Sequence, residues 1–85
     1  MRRTGKVAAI NPRRGMVAIS TPDDGFTIVE LISSWEPEIG DEIAWSNGYG
    51  LGSETYENLT QGRRGEVFVQ NHAVNQANLR AQLLL

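Results

Sequence analysis

Short β-branched or apolar runs, several of them alternating with polar residues, recur along this chain, and each run stops at turn chemistry. The runs are Lys6–Asn11, Met16–Ser20, Phe26–Ile32, Glu42–Ser46, Glu54–Thr60 and Glu66–Asn71. A period of two sends successive side chains to opposite faces of a strand, so the runs read as strands and those that alternate have one buried face. Thus Ile43 and Trp45 oppose Glu42 and Ala44, and Val67 and Val69 oppose Phe68 and Gln70. The breaks between runs have a mechanism. Pro12 in Asn11-Pro12-Arg13-Arg14-Gly15 and Pro22 in Thr21-Pro22-Asp23-Asp24-Gly25 preset φ, and the closing glycines accept positive φ. Gly40-Asp41, the glycine-rich loop 47–53 and the tight turn Gln61-Gly62-Arg63-Arg64-Gly65 mark the other breaks. Short strands at this spacing predict an all-β fold, a small antiparallel barrel or sandwich of five to six strands.

Only the end of the chain changes period. Asn75 is a good N-cap, and Val74 before it can close over Leu79 as a hydrophobic staple. Leu79 and Leu83 then share one helical face, with Ala77 and Arg80 beside them. About ten residues fall short of the roughly 12–15 that hold a helix alone in water. The helix must therefore dock, with the open end of its own barrel as the favoured seat. The terminal Leu83-Leu84-Leu85 also suits a homodimer contact through this helix. The organisation expected is a single domain over 1–85, with barrel strands in 1–73 and the helix in 74–85.

Composition narrows the class further. There is no cysteine, which excludes a disulfide scaffold and any thiolate metal site. No long apolar stretch follows Met1–Val7, so the expectation is no signal peptide, no membrane span and a cytoplasmic protein. Asn58-Leu59-Thr60 fits a glycosylation sequon and, without an export signal, is read as fortuitous.

The net charge of −2 hides a strong asymmetry: residues 1–22 carry +5, residues 23–62 carry −9 and residues 63–85 carry +2. Either these segments pair across the fold and cancel, or one side of the surface attracts anions while the other repels them.

Several residues of the first half resemble a cold-shock domain, a five-stranded OB-type barrel. Gly5-Lys6-Val7, Ile10-Asn11-Pro12 and the basic pair before Gly15 resemble that family's opening strand and first turn. Gly40-Asp41-Glu42-Ile43-Ala44-Trp45 resembles its fourth-strand start, and Asp23-Asp24-Gly25 fits the turn before its third strand. The resemblance implies a barrel that binds single-stranded nucleic acid on aromatic motifs of the second and third strands. Those motifs are missing here: the phenylalanine positions are Met16 and Ala18, the opening-strand tryptophan is Ala9, and Ile28-Val29-Glu30-Leu31 replaces an aromatic-Val-His-aromatic pattern. Base–aromatic stacking is worth about 1–3 kcal/mol per base, so this loss removes most of that surface's affinity. The second half departs too, with a glycine loop, a hairpin (54–60 with 66–71) and a helix where the family needs one strand.

Candidate binding residues follow from charge and ring. Arg2, Arg3, Lys6, Arg13, Arg14, Arg63 and Arg64 form one phosphate-binding patch if the two Arg-Arg turns share an end of the barrel. The competing reading pairs these arginines with Glu36, Glu38 or Asp41. Trp35 and Tyr49 are the candidate stacking rings, Trp35 having plugging of a barrel end as its other reading, whereas Trp45 and Phe68 are read as core.

His72, the only histidine, closes a strand end, so no metal or cofactor is expected. Nothing around Ser33, Ser34 or Ser53 resembles a nucleophile elbow, and loop 48–52 lacks the lysine of a phosphate loop. The function expected is a non-enzymatic module binding single-stranded RNA or DNA weakly and electrostatically. The alternative is a protein-interaction or self-assembly barrel using the acidic middle or the leucine-rich helix.

Overall fold

The computed structural model describes residues 2–33 and 36–84. Among them, six strands close into one antiparallel barrel: β1 (Arg3–Asn11), β2 (Met16–Ser20), β3 (Phe26–Leu31), β4 (Glu42–Trp45), β5 (Gly52–Asn58) and β6 (Arg63–Val74). Their order around the barrel is β1-β2-β3-β6-β5-β4, with β4 returning to β1, an arrangement consistent with an OB-type barrel. The all-β class, the strand count and the short C-terminal helix are as the alternation predicts. The β5–β6 hairpin is not appended to a finished barrel, however. It completes the wall between β3 and β4.

One turn differs in a way that matters for charge. The β5–β6 connection is Leu59–Gly62, so Arg63 and Arg64 open a strand instead of riding on a tip. The side chain of Asn58 accepts from the backbone N–H of Gln61 at 2.9 Å, which bends the chain before the arginines are reached. Ladder pairing then sets Arg63 opposite Asn58 and Arg64 opposite Glu57. The turn between β2 and β3 does follow its sequence: Gly25 has φ +68°, and a Cβ there would lie 2.6 Å from the carbonyl oxygen of Val74.

Inward-facing Val7, Val17, Ile19, Val29, Ile43, Val67 and Val69 fill the barrel around a stacked pair of rings, Trp45 and Tyr56, with centroids 4.7 Å apart. Each such aliphatic side chain contributes about 1.5–3 kcal/mol by leaving water. The indole N–H of Trp45 donates to the Gly48 carbonyl at 2.9 Å, so this ring is core as expected. Phe68 is not: it is 42% exposed, because Val67 and Val69 on either side of it take the inward positions.

A second apolar cluster lies on the outer face of β2 and β3. Met16, Ala18 and Ile28 meet Val74 and Leu83 there, with Ala9, Phe26 and Leu79 packed against them. Here the C-terminal segment docks. A single 3₁₀ turn (Gln76–Asn78) leads into α1 (Leu79–Gln82), and the Asn75 side chain accepts from the backbone N–H of Asn78 as an N-cap. At the other end, the Asn11 amide donates to the carbonyls of Leu83 (2.8 Å) and Leu84 (3.4 Å). Those helix-end acceptors would otherwise lack partners. Among the described residues, no helix is long and apolar enough to cross a membrane.

Candidate functional site

The β1–β2 turn is built from its own sequence. The Asn11 carbonyl accepts from the Arg14 N–H at 3.2 Å, and the Gly15 carbonyl accepts from the Leu31 N–H at 2.8 Å. The Asn11 side chain, almost fully buried, is occupied by the end of the helix. Arg13 and Arg14 are thereby left exposed on the tip, and neither forms an ion pair among the described residues.

The other cations have separate surroundings. Arg2 is bonded to Glu57 at 2.6 Å, and Glu57 also faces Arg64 across the β5–β6 ladder. These three residues line one shallow depression together with Trp45 and Thr55. Lys6 is exposed on β1, opposite Glu42 of β4 and Ser20 of β2. Arg63 is exposed at the start of β6. Arg14 lines a different depression from Arg64, and the two share no lining residue.

Arg3 and Tyr49 are tied to one another. The Arg3 guanidinium lies 4.5 Å from the centre of the Tyr49 ring and 3.1 Å from a carboxylate oxygen of Asp24. The Tyr49 hydroxyl donates to the same oxygen. The Tyr49 hydroxyl first, and Arg3 second, hold the Asp24 carboxyl below its ordinary pKa. The His72 and Tyr49 rings meet in a T-shaped arrangement, with centroids 5.5 Å apart. Its Nε2–H donates to the Gly50 carbonyl at 3.0 Å, while Nδ1 bonds the Thr27 hydroxyl at 2.9 Å. The histidine thus ties the glycine loop to β3 and β6, and Tyr49 stays 58% exposed in that loop. Trp35 lies outside the described residues.

Asp41, one of the acids in the competing reading, does other work. Asp41 is buried and accepts from Asn58 (2.8 Å), Gln61 (2.7 Å) and the backbone N–H of Glu38 (2.8 Å). It fastens β4 to the β5–β6 turn. Among the described residues, the two ion pairs use Glu57 and Asp24 instead of Glu36, Glu38 or Asp41. Also among them, no group of three His, Cys, Asp or Glu side chains is arranged to hold a metal ion.

The face where the cold-shock resemblance places its base-stacking rings is covered. Ala9, Met16, Ala18 and Ile28 lie beneath the C-terminal segment, and Leu83, 1% exposed, is seated among them. Small and flexible side chains on β2 give the helix its seat. Two features of the sequence that looked unrelated, a strand face without rings and a helix in need of a surface, are one arrangement.

Phe68, like Arg63 and Arg64, lies elsewhere than the sequence suggests, although the alternation of Val67 and Val69 around it already points it outward. On the ladder it stands between Glu30 of β3 and Ser53 of β5. Gln70, the next outward position on β6, brings its amide nitrogen to 3.5 Å from the Glu30 carboxylate.

No family model matches this chain, and no curated protein or solved structure matches it either.

Proposed function

We propose that this protein is a non-enzymatic module that binds single-stranded RNA or DNA weakly, by contacts to phosphate more than to bases. The observation that carries this reading is the exposed Arg13-Arg14 tip on an OB-type barrel, with no acid paired to either arginine among the described residues. Lys6 and Arg63 supply further exposed charge, whereas Arg2, Arg3 and Arg64 act beside Glu57 or Asp24 and contribute less. The resemblance of the opening hairpin to a cold-shock domain supports the same ligand class, with the altered strand face accounting for weak binding.

Fluorescence anisotropy of labelled random single strands, at low and moderate salt, tests this. Each phosphate contact on a single strand contributes about 0.7 to the slope of log K against log salt. Reversing both charges in Arg13→Glu/Arg14→Glu should abolish measurable binding at moderate salt and flatten the slope by at least about 1.4. Unchanged affinity in the double variant would refute the reading. Self-association through the helix, the competing role, loses its main residue: Leu83 is buried against its own barrel, and only Leu84 of the described pair is exposed.

A further inference from the structure

We propose that Phe68, Glu30, Gln70 and Arg14 form a subsite for one nucleotide of a single strand, with guanine as the preferred base. The inference rests on the single-strand reading above and deepens it, by locating a stacking surface away from the covered face of β2.

Phe68 is the starting point. Its ring belongs to neither apolar cluster and stands 42% exposed on the outer wall of the barrel. The interior is already filled by Trp45 and Tyr56. The Phe68 ring leaves part of its face in water. A base has a π-face of matching size, and stacking on an exposed aromatic is the sequence-tolerant way single strands are held.

The flanking side chains add edge chemistry. Glu30 lies directly across the ladder from Phe68, and Gln70 is the next outward residue on the same strand. An ionised carboxylate only accepts hydrogen bonds, so it selects a base edge rich in donors. Guanine offers two adjacent donors, N1–H and the N2 amino group, which match the two carboxylate oxygens. The Gln70 amide can donate to guanine O6 beside them. Uracil and thymine present a single N–H, and adenine and cytosine a single amino group.

Beside Phe68, which does not line it, Glu30 and Gln70 line a cleft of about 360 Å³ together with Met16, Leu84 and Arg14. That volume is at the low end of the range for small-ligand sites, about 300–1,000 Å³, and leaves room for the part of a nucleotide that extends past Phe68. Arg14 supplies the cation for the adjoining phosphate.

The test uses the full chain and labelled hexanucleotides: U6, and U6 carrying one G, A or C at the third position. Wild type should bind the G-containing strand most tightly. Phe68→Ala should weaken binding to all four about fivefold to a hundredfold, as for other base–aromatic stacks. Phe68→Trp should retain or strengthen binding, and Glu30→Gln should abolish the advantage of the G-containing strand over U6. Circular dichroism and thermal melts of each variant show whether these outer-face substitutions leave the fold intact. If wild type binds with steep salt dependence but Phe68→Ala and Phe68→Trp match it, the subsite is overturned while the single-strand reading stands. If wild type binds no strand at low salt, both are overturned. A G preference that survives Glu30→Gln overturns the assignment of that carboxylate.

Discussion

Asp41 illustrates how one side chain can decide the acid limit of a small barrel. Its carboxylate is held below the ordinary 3.8, first by the Asn58 amide and then by the Glu38 N–H and Gln61. The folded chain therefore binds a proton at this site less readily than the unfolded chain does. The stabilisation is complete above about pH 5 and is lost as pH falls through the lowered folded value. Asp24 adds to the same window, through Tyr49 first and Arg3 second. Asp41→Asn cannot titrate and replaces a charge-assisted acceptor with a neutral one. It should cost about 1–2 kcal/mol at pH 7. In urea unfolding the difference from wild type should shrink between pH 7 and a pH below the lowered folded value, where wild type loses its own charge. A constant difference at both pH values would assign the acid limb to another carboxylate. Tyr56 lies deeper still: burial first, then Glu54, pushes its phenol upward, so it stays neutral throughout this range.

The C-terminal helix has the least intrinsic stability of any element, with four α-helical residues after one 3₁₀ turn. Its place is fixed by Leu83 in the outer apolar cluster, by the Asn75 cap and by the Asn11 amide. Leu83→Ala should therefore cost about 2–5 kcal/mol in thermal or denaturant unfolding, a large fraction of an 85-residue domain's stability. A loss below 1 kcal/mol would mean that the helix rests on the barrel without being needed by it.

Much of this element was legible in the sequence: the cap, the shared face of Leu79 and Leu83, and the need to dock. The seat was not, because Met16, Ala18 and Ile28 come from two strands that only barrel closure sets side by side. Strands were legible for the same reason that the arginine placement was not. Period-two alternation is local, whereas the partner of Arg2 is 55 residues away, and Arg64 meets Glu57 only through the ladder. Phe68 fell between these cases. Its direction is written in Val67 and Val69, whose inward positions leave Phe68 on the outer face.

Across the whole molecule, one apolar cluster lies inside the barrel and the other between barrel and helix. The ladder closes through β4 and β1 without help from residues after Val74. A chain ending at Asn75 should consequently keep the β-sheet circular dichroism of the full protein at reduced stability. It should also uncover Ala9, Met16, Ala18 and Ile28, an apolar face of the kind that drives association. Sedimentation should then find concentration-dependent oligomers of the shortened chain, whereas Leu84→Asp in the full chain should leave its association state unchanged. The same shortened chain separates two views of the binding surface. Those four residues carry no ring and Phe26, packed against them, is the single aromatic of that cluster, so removing the helix should raise single-strand binding by less than tenfold, while the cleft beside Glu30 and Gln70 loses its Leu84 wall. An affinity gain of tenfold or more would instead make the helix a cover over a working nucleic-acid face, and Phe68 a bystander.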